Sequence, residues 1–194
     1  MENRITIPLG DYVILNTVVS LHLTIDFYNM IDNYHNPGVK MFIPIPNNYP
    51  PTALLNDNNP LFYAILTVSS VDTPTYDWFI SSVSDDYYDE DIQDVVMVRE
   101  FYIKAKEHHI PLTNDEVIYT KGLGKRCLCL AMPYVIDYFN IQTDTAAIAL
   151  TASGGIGLYN YYIKTYGFSP LYNTKTDNTM FMVADLYTFL DHCH

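Results

Sequence analysis

The chain has 194 residues, 49% hydrophobic and only 16% charged, which excludes a disordered segment and is enough to bury one core. Its formal charge is −12, from 22 acidic against 10 basic residues, and a field of that sign repels nucleic acid and anionic membrane surfaces. No apolar run approaches the roughly 20 residues that span a bilayer, and the start MENRITIPLGD lacks the basic flank and apolar core of a signal peptide. Cys127, Cys129 and Cys193 form no CxxC pair, and their odd number argues against a disulfide framework. The expectation is one domain over residues 1–194, cytoplasmic, with its thiols reduced.

The first apolar segment, Ile5 to Pro8, reads as a short strand, and Gly10-Asp11 offers a turn and an N-cap. Ile14, Val18, Leu21, Ile25 and Tyr28 then recur at spacings of 4, 3, 4 and 3, which predicts an amphipathic helix ending near Asn36-Pro37-Gly38. The five prolines of MFIPIPNNYPPTALLNDNNP predict a loop or covering segment. LFYAILTVSSV and TYDWFISSVS are rich in β-branched and aromatic residues and flank Asp72-Thr73-Pro74, the pattern of a hairpin. Six acids between Asp85 and Asp94 read as a solvated tip. DVVMVREFYIKAKE completes an antiparallel meander, and Glu107 to Val117, with His108 and His109, reads as a loop.

Leu128, Ala131, Val135 and Tyr138, spaced by 3, 4 and 3, predict a second helix. Pro133 inside it removes a hydrogen bond at a cost of about 3 kcal/mol, which predicts a kink there or a stop near Met132. The apolar run Thr145 to Ser153 reads as a strand buried on both faces. GGIGLYNYYIKTYGF follows as a helix closed by Gly167, and SPLYNTKTDNTMFMVADLYTFL as two strands around a turn. The sum is an α/β chain with a mixed sheet of about six to seven strands flanked by helices.

The stretch YTKGLGKRCLCLAM concentrates three of the ten bases, Lys121, Lys125 and Arg126, in six residues. A glycine turn into a helix leaves backbone N–H groups converging where the helix dipole is positive, a recipe for holding phosphate. Gly122, Leu123, Gly124, Lys125 and Arg126 are the candidate donors; the other reading is a solvated glycine turn. GxxxxGK followed by Ser or Thr is absent, and Cys127 stands where a Rossmann fingerprint needs its third glycine. The second cluster, Ser153 to Gly157, has no bases beside it and reads as a backbone device. His192-Cys193-His194 cannot converge on one ion, so no metal is expected.

Taken together, YTKGLGKRCLCLAM, TAAIALTAS and LYNYYIKTYGF resemble the C-terminal half of GNAT-type N-acetyltransferases. That family carries an Arg or Gln, two residues, Gly, one residue, and Gly or Ala in the loop that binds the acyl-CoA pyrophosphate. Gly122 and Gly124 match its small positions, Lys125 and Arg126 its basic continuation, and Tyr166-Gly167-Phe168 the end of its second helix. The likeness is specific over residues 119–168 and follows pattern alone over 61–104, so residues 1–60 form a divergent N-terminal segment. Tyr119 stands where the family has Arg or Gln, and Ile163 where it has a tyrosine; one inserted residue near Thr165 would align Tyr162 with that position.

The resemblance implies a GNAT-like fold, acetyl-CoA as co-substrate and direct acyl transfer to an amine. Lys121 to Arg126 would bind the pyrophosphate, and strand backbone from Val98 to Tyr102 the pantetheine arm. Tyr162, or Tyr159 behind it, would protonate the leaving thiolate. Glu100, or His108 or His109, would take the proton of the amine. If the acidic run reaches the cleft, the acceptor is basic, a polyamine or basic peptide. Two further readings stay open: a catalytically silent GNAT-like binding or assembly domain, and a nucleotide- or phosphate-ligand-binding α/β protein.

Overall fold

The computed structural model describes residues 3–14, 17–33, 35–47, 60–71, 73–83, 92–103, 122–171, 175–176 and 178–194. Strands β1 (Arg4–Ile14) and β2 (Thr17–Tyr28) form a long antiparallel hairpin, with a register irregularity between Pro8 and Gly10. The helix expected from Ile14 to Tyr28 is therefore a strand. Val19, Leu21, Leu23, Ile25 and Phe27 are all at most 4% exposed, so the apolar side chains recur every two residues, although Thr24 and Asp26 between them are also buried. The helical stripe shares Leu21 and Ile25 with it, but the β-branched residues of TVVSLHLTIDFY favour the pleated surface.

From β2 the chain continues through β3 (Gly38–Phe42) and β4 (Phe62–Ser70), each antiparallel to the strand before it. TYDWFISSVS is not the expected strand: α1 spans Pro74–Ser82. Proline occupies its first turn, and the Thr73 hydroxyl accepts from the Tyr76 N–H. These start signals outweigh the strand propensity of Trp78, Phe79 and Ile80.

β5 (Asp94–Ile103) pairs antiparallel with β4, and α2 (Leu123–Phe139) carries the chain across to β6 (Ala146–Ser153), which lies parallel to β5. Helix α2 runs unbroken through the exposed Pro133, so the expected stop does not occur. Then come α3 (Ile156–Tyr166), the two-residue β7 (Ser169–Pro170), β8 (Thr179–Asp185) and α4 (Leu186–Asp191). DLYTFL, expected as strand, supplies that last helix. The sheet has eight strands in the order β1-β2-β3-β4-β5-β6-β8-β7.

Val95–Val98 of β5 and Ala146–Leu150 of β6 are buried on both faces, as their unbroken apolar runs require. Val96, Val98, Ile148 and Leu150 face α2, α3 and α4. Val95, Met97, Ala147 and Ala149 face α1 through Phe79 and Val83. Each large side chain so buried contributes about 1.5–3 kcal/mol.

One expectation about the cysteines is overturned. Cys129 on α2 and Cys193 after α4, with Cα atoms 5.4 Å apart, form a disulfide across 64 positions of sequence. Cys127 alone is a free thiol, and burial pushes its pKa up to about 12, which makes it an inert core residue.

Candidate functional site

Strands β5 and β6 pair from Asp94↔Ala146 only as far as Val98↔Leu150, although β5 runs on to Ile103 and β6 to Ser153. The cause is visible on the other side of β5. Ile65 pairs with Glu100 but Leu66 pairs with Val98, so Arg99 is the extra residue of a bulge. A bulge bends its strand and sharpens the local twist. Beyond it the two strands part.

Their separation opens a cleft of about 480 Å3. Val98, Arg99, Phe101, Tyr102 and Ile103 form one wall, and Leu150, Thr151 and Ser153 the other. Leu158, Tyr161 and Tyr162 of α3 form the floor, three positions that helical periodicity brings to one face. The cleft lies at the carboxyl ends of a parallel pair, where α/β sheets bind ligands.

No described residue at the start of α2 lines this cleft; the helix start packs instead on two residues of its β5 wall. Gly122 is left-handed (φ 77°) and no side chain caps the helix. The first helical bond runs from the Arg126 N–H to the Gly122 carbonyl at 2.9 Å, so the N–H groups of Leu123, Gly124 and Lys125 have no acceptor within the helix. Gly124 is itself buried. A Cβ there would stand 2.6 Å from Ile103 Cδ1 and 2.9 Å from Phe101 Cζ, so the bare glycine seats α2 on two residues that wall the cleft.

The basic cluster is not gathered as one group. Arg126 is exposed, and its guanidinium donates to the Tyr12 hydroxyl of β1 at 2.8 Å. Lys125 is half-buried on the first turn. Lys121, Tyr119, His108, His109 and residues 85–91 of the acidic run lie outside the described residues.

Tyr162 is in the cleft floor, and its ring packs on Tyr161, Tyr166 and Phe168 at centroid distances of 5.8, 5.9 and 6.1 Å. Burial, reinforced by Tyr161, raises its pKa, so the phenol keeps its proton at neutral pH. The extra residue near Thr165 that would align Tyr162 with the family's tyrosine is not there: the Gly167 N–H donates to the Ile163 carbonyl at 3.1 Å, ordinary four-residue helical spacing, so Ile163 keeps that position, and Ile163 is not among the cleft walls. Tyr159 is 2% exposed, outside the cleft walls, and its hydroxyl has no partner among the described residues.

Glu100 is exposed and is not part of the cleft walls. Its charge is felt at Tyr63, whose pKa is raised first by burial and then by Glu100. The residue that sequence reasoning missed is its neighbour Arg99, which the bulge places at the cleft. A lone cation directly after the buried Val95-Val96-Met97-Val98 run was the available signal.

Set beside known proteins, the chain matches no family model and no curated protein. Among the described residues, no helix is long and apolar enough to cross a membrane.

Proposed function

We propose that the protein is a GNAT-like N-acyltransferase that binds acetyl-CoA in the β5–β6 cleft and passes the acetyl group to an amine. The observation that carries this reading is the seating of α2. Its first-turn N–H groups, which have no acceptor within the helix, include that of Gly124, and Gly124 packs on Phe101 and Ile103, which also wall the cleft. A pyrophosphate at that helix start leaves the pantetheine arm to run along β5 past Val98, where the strand has no β6 partner.

In the reaction the neutral amine attacks the thioester carbonyl, the C–N bond forms, and the C–S bond breaks. The amine loses one proton and the CoA thiolate takes one. Tyr162, protonated and at the floor of the cleft, supplies the thiolate's proton. Glu100, outside the walls, receives the amine's proton only through water.

The test is thermal. Acetyl-CoA at about 100 times its dissociation constant adds roughly 2.7 kcal/mol to stability and raises Tm accordingly. A shift with a nucleotide but none with acetyl-CoA or CoA sinks the reading in favour of a nucleotide-binding protein. The position of Glu100 favours a second reading, a silent domain that binds acyl-CoA without using it. Its mark is a Tm shift with no thiol released across a panel of amines.

A further inference from the structure

We infer that Arg99 makes the cleft selective for a carboxylate, carried either by the acceptor amine or by the acyl chain of the thioester. The inference rests on the acyl-transfer reading of the same cleft. Its ground is a contrast between two arginine–aspartate pairs. Arg4 meets Asp26 fork to fork, with Nε at 2.5 Å from Oδ1 and Nη2 at 2.7 Å from Oδ2. Arg99 and Asp32 approach only at 3.7 Å, from Nη2 to Oδ2. That is beyond hydrogen-bond reach.

Asp32 cannot turn to close the gap. Its Oδ1 accepts the Asn36 backbone N–H at 3.0 Å and its Oδ2 accepts the Asn36 side-chain amide at 2.9 Å. Asn36 is 2% exposed and is itself fixed, donating to Thr75 at 2.8 Å and accepting from Ser69 at 3.3 Å. Asp32 therefore orients the guanidinium by charge without filling its fork. A planar fork at 3.7 Å from its anchor, brought to the cleft by a bulge, is shaped to take a second carboxylate edge-on.

No other described cation lines the cleft: Arg126 goes to Tyr12, Arg4 to Asp26, and Lys40 lies over the Phe42 and Tyr63 rings. Thr151 and Ser153 on the opposite wall add hydroxyls. In a chain of net charge −12, this local sign disfavours the polyamine or basic peptide suggested by the acidic run and favours an amine or acyl group that carries an acid.

Two paired panels test the inference by calorimetry on the full chain. CoA-loaded protein is titrated with each common amino acid and with the amide of that amino acid. Ligand-free protein is titrated with succinyl-CoA and with butyryl-CoA. The carboxylated member of one panel is expected to bind about tenfold tighter or more than its uncharged counterpart, and the panel that responds identifies the source. R99Q removes the preference, and R99K, which keeps charge without the fork, retains part of it. Equal binding within both panels, with CoA still bound, overturns the role of Arg99 and leaves the acyl-transfer reading standing. Preference that survives R99Q also overturns it. Failure of CoA and of both thioesters to bind overturns the two together.

Discussion

Two helix-start junctions stand near the cleft, and each contains glycine, any residue, glycine. Into α2 the sequence is Gly122-Leu123-Gly124; into α3 it is Gly155-Ile156-Gly157. In both, the first glycine is at positive φ, 77° and 80°, and no side chain caps the helix. The second glycines then part company. A Cβ on Gly124 would strike Ile103 and Phe101, whereas a Cβ on Gly157 meets nothing within 4 Å. The backbone differs too. Leu158 already donates to the Gly155 carbonyl at 3.1 Å, and Gly154 is tied to Asn178 at 3.1 Å, while α2 makes its first bond only at Arg126. The same three-residue pattern serves once as a seat against two residues of the cleft wall and once as a plain chain reversal. The neighbours across space decide which.

The largest way to break this comparison is chemical reduction. The Cys129–Cys193 bond closes a loop of 64 positions that contains the α3 junction and leaves the α2 junction outside. Its loss is expected to cost about 4 kcal/mol in a urea titration with and without reductant. In hydrogen exchange the amides of α3 should gain more than those at the start of α2. An unchanged midpoint would show that the two cysteines are not joined in the folded chain.

Next in size is Tyr162→Phe. It should lower kcat by about 100-fold while leaving acetyl-CoA affinity nearly unchanged, since only the transferred proton is lost. Burial raises the pKa of this phenol, so on the acyl-transfer reading wild-type kcat should show no alkaline limb from it between pH 7 and 9. The proton, and with it the rate, is lost only as pH rises beyond the ordinary tyrosine value of about 10. Full activity in the phenylalanine variant would place the acid elsewhere than on α3.

Gly124→Val should destabilise by about 1–3 kcal/mol through overpacking against Ile103 and Phe101, and should weaken the acetyl-CoA Tm shift by lifting α2 off the cleft. The smallest effect has the opposite sign. Gly157→Ala has open space and helical backbone, so it should stabilise by about 0.5–1 kcal/mol and leave the shift untouched. If both substitutions behaved alike in thermal melts, the two junctions would not differ as described.

The C-terminal half was readable because its signals are local. Leu128, Ala131 and Val135 carry the period of α2, the run from Ala146 carries β6, and Gly167 marks the end of α3. Where two local signals competed, one hid the other: Leu21 and Ile25 fit a helical stripe and a strand face equally, and the aromatics of α1 obscured the cap at Thr73. Tyr162, which the chain singles out, lines the cleft, while Gly122 and Gly124, which it also singles out, stand at the start of α2 outside the cleft walls. The Arg99 bulge could not be read from the chain, because a bulge exists only relative to the register of β4. Nor could the Cys129–Cys193 bond, which joins residues far apart in sequence.

The parallel joint between β5 and β6 has a consequence for how the molecule holds together. From β1 to β5 each strand lies beside its neighbour in sequence, and every described strand pairing other than β5–β6 is antiparallel. The two blocks are stitched by five residue pairs, and that stitching waits on a crossover through α2, the kind of long-range closure that folds late. On the acyl-transfer reading, an extended molecule laid along β5 past Val98 would continue the row of stitches where the protein stops making its own. Its grip is then felt as cohesion between the halves of the sheet.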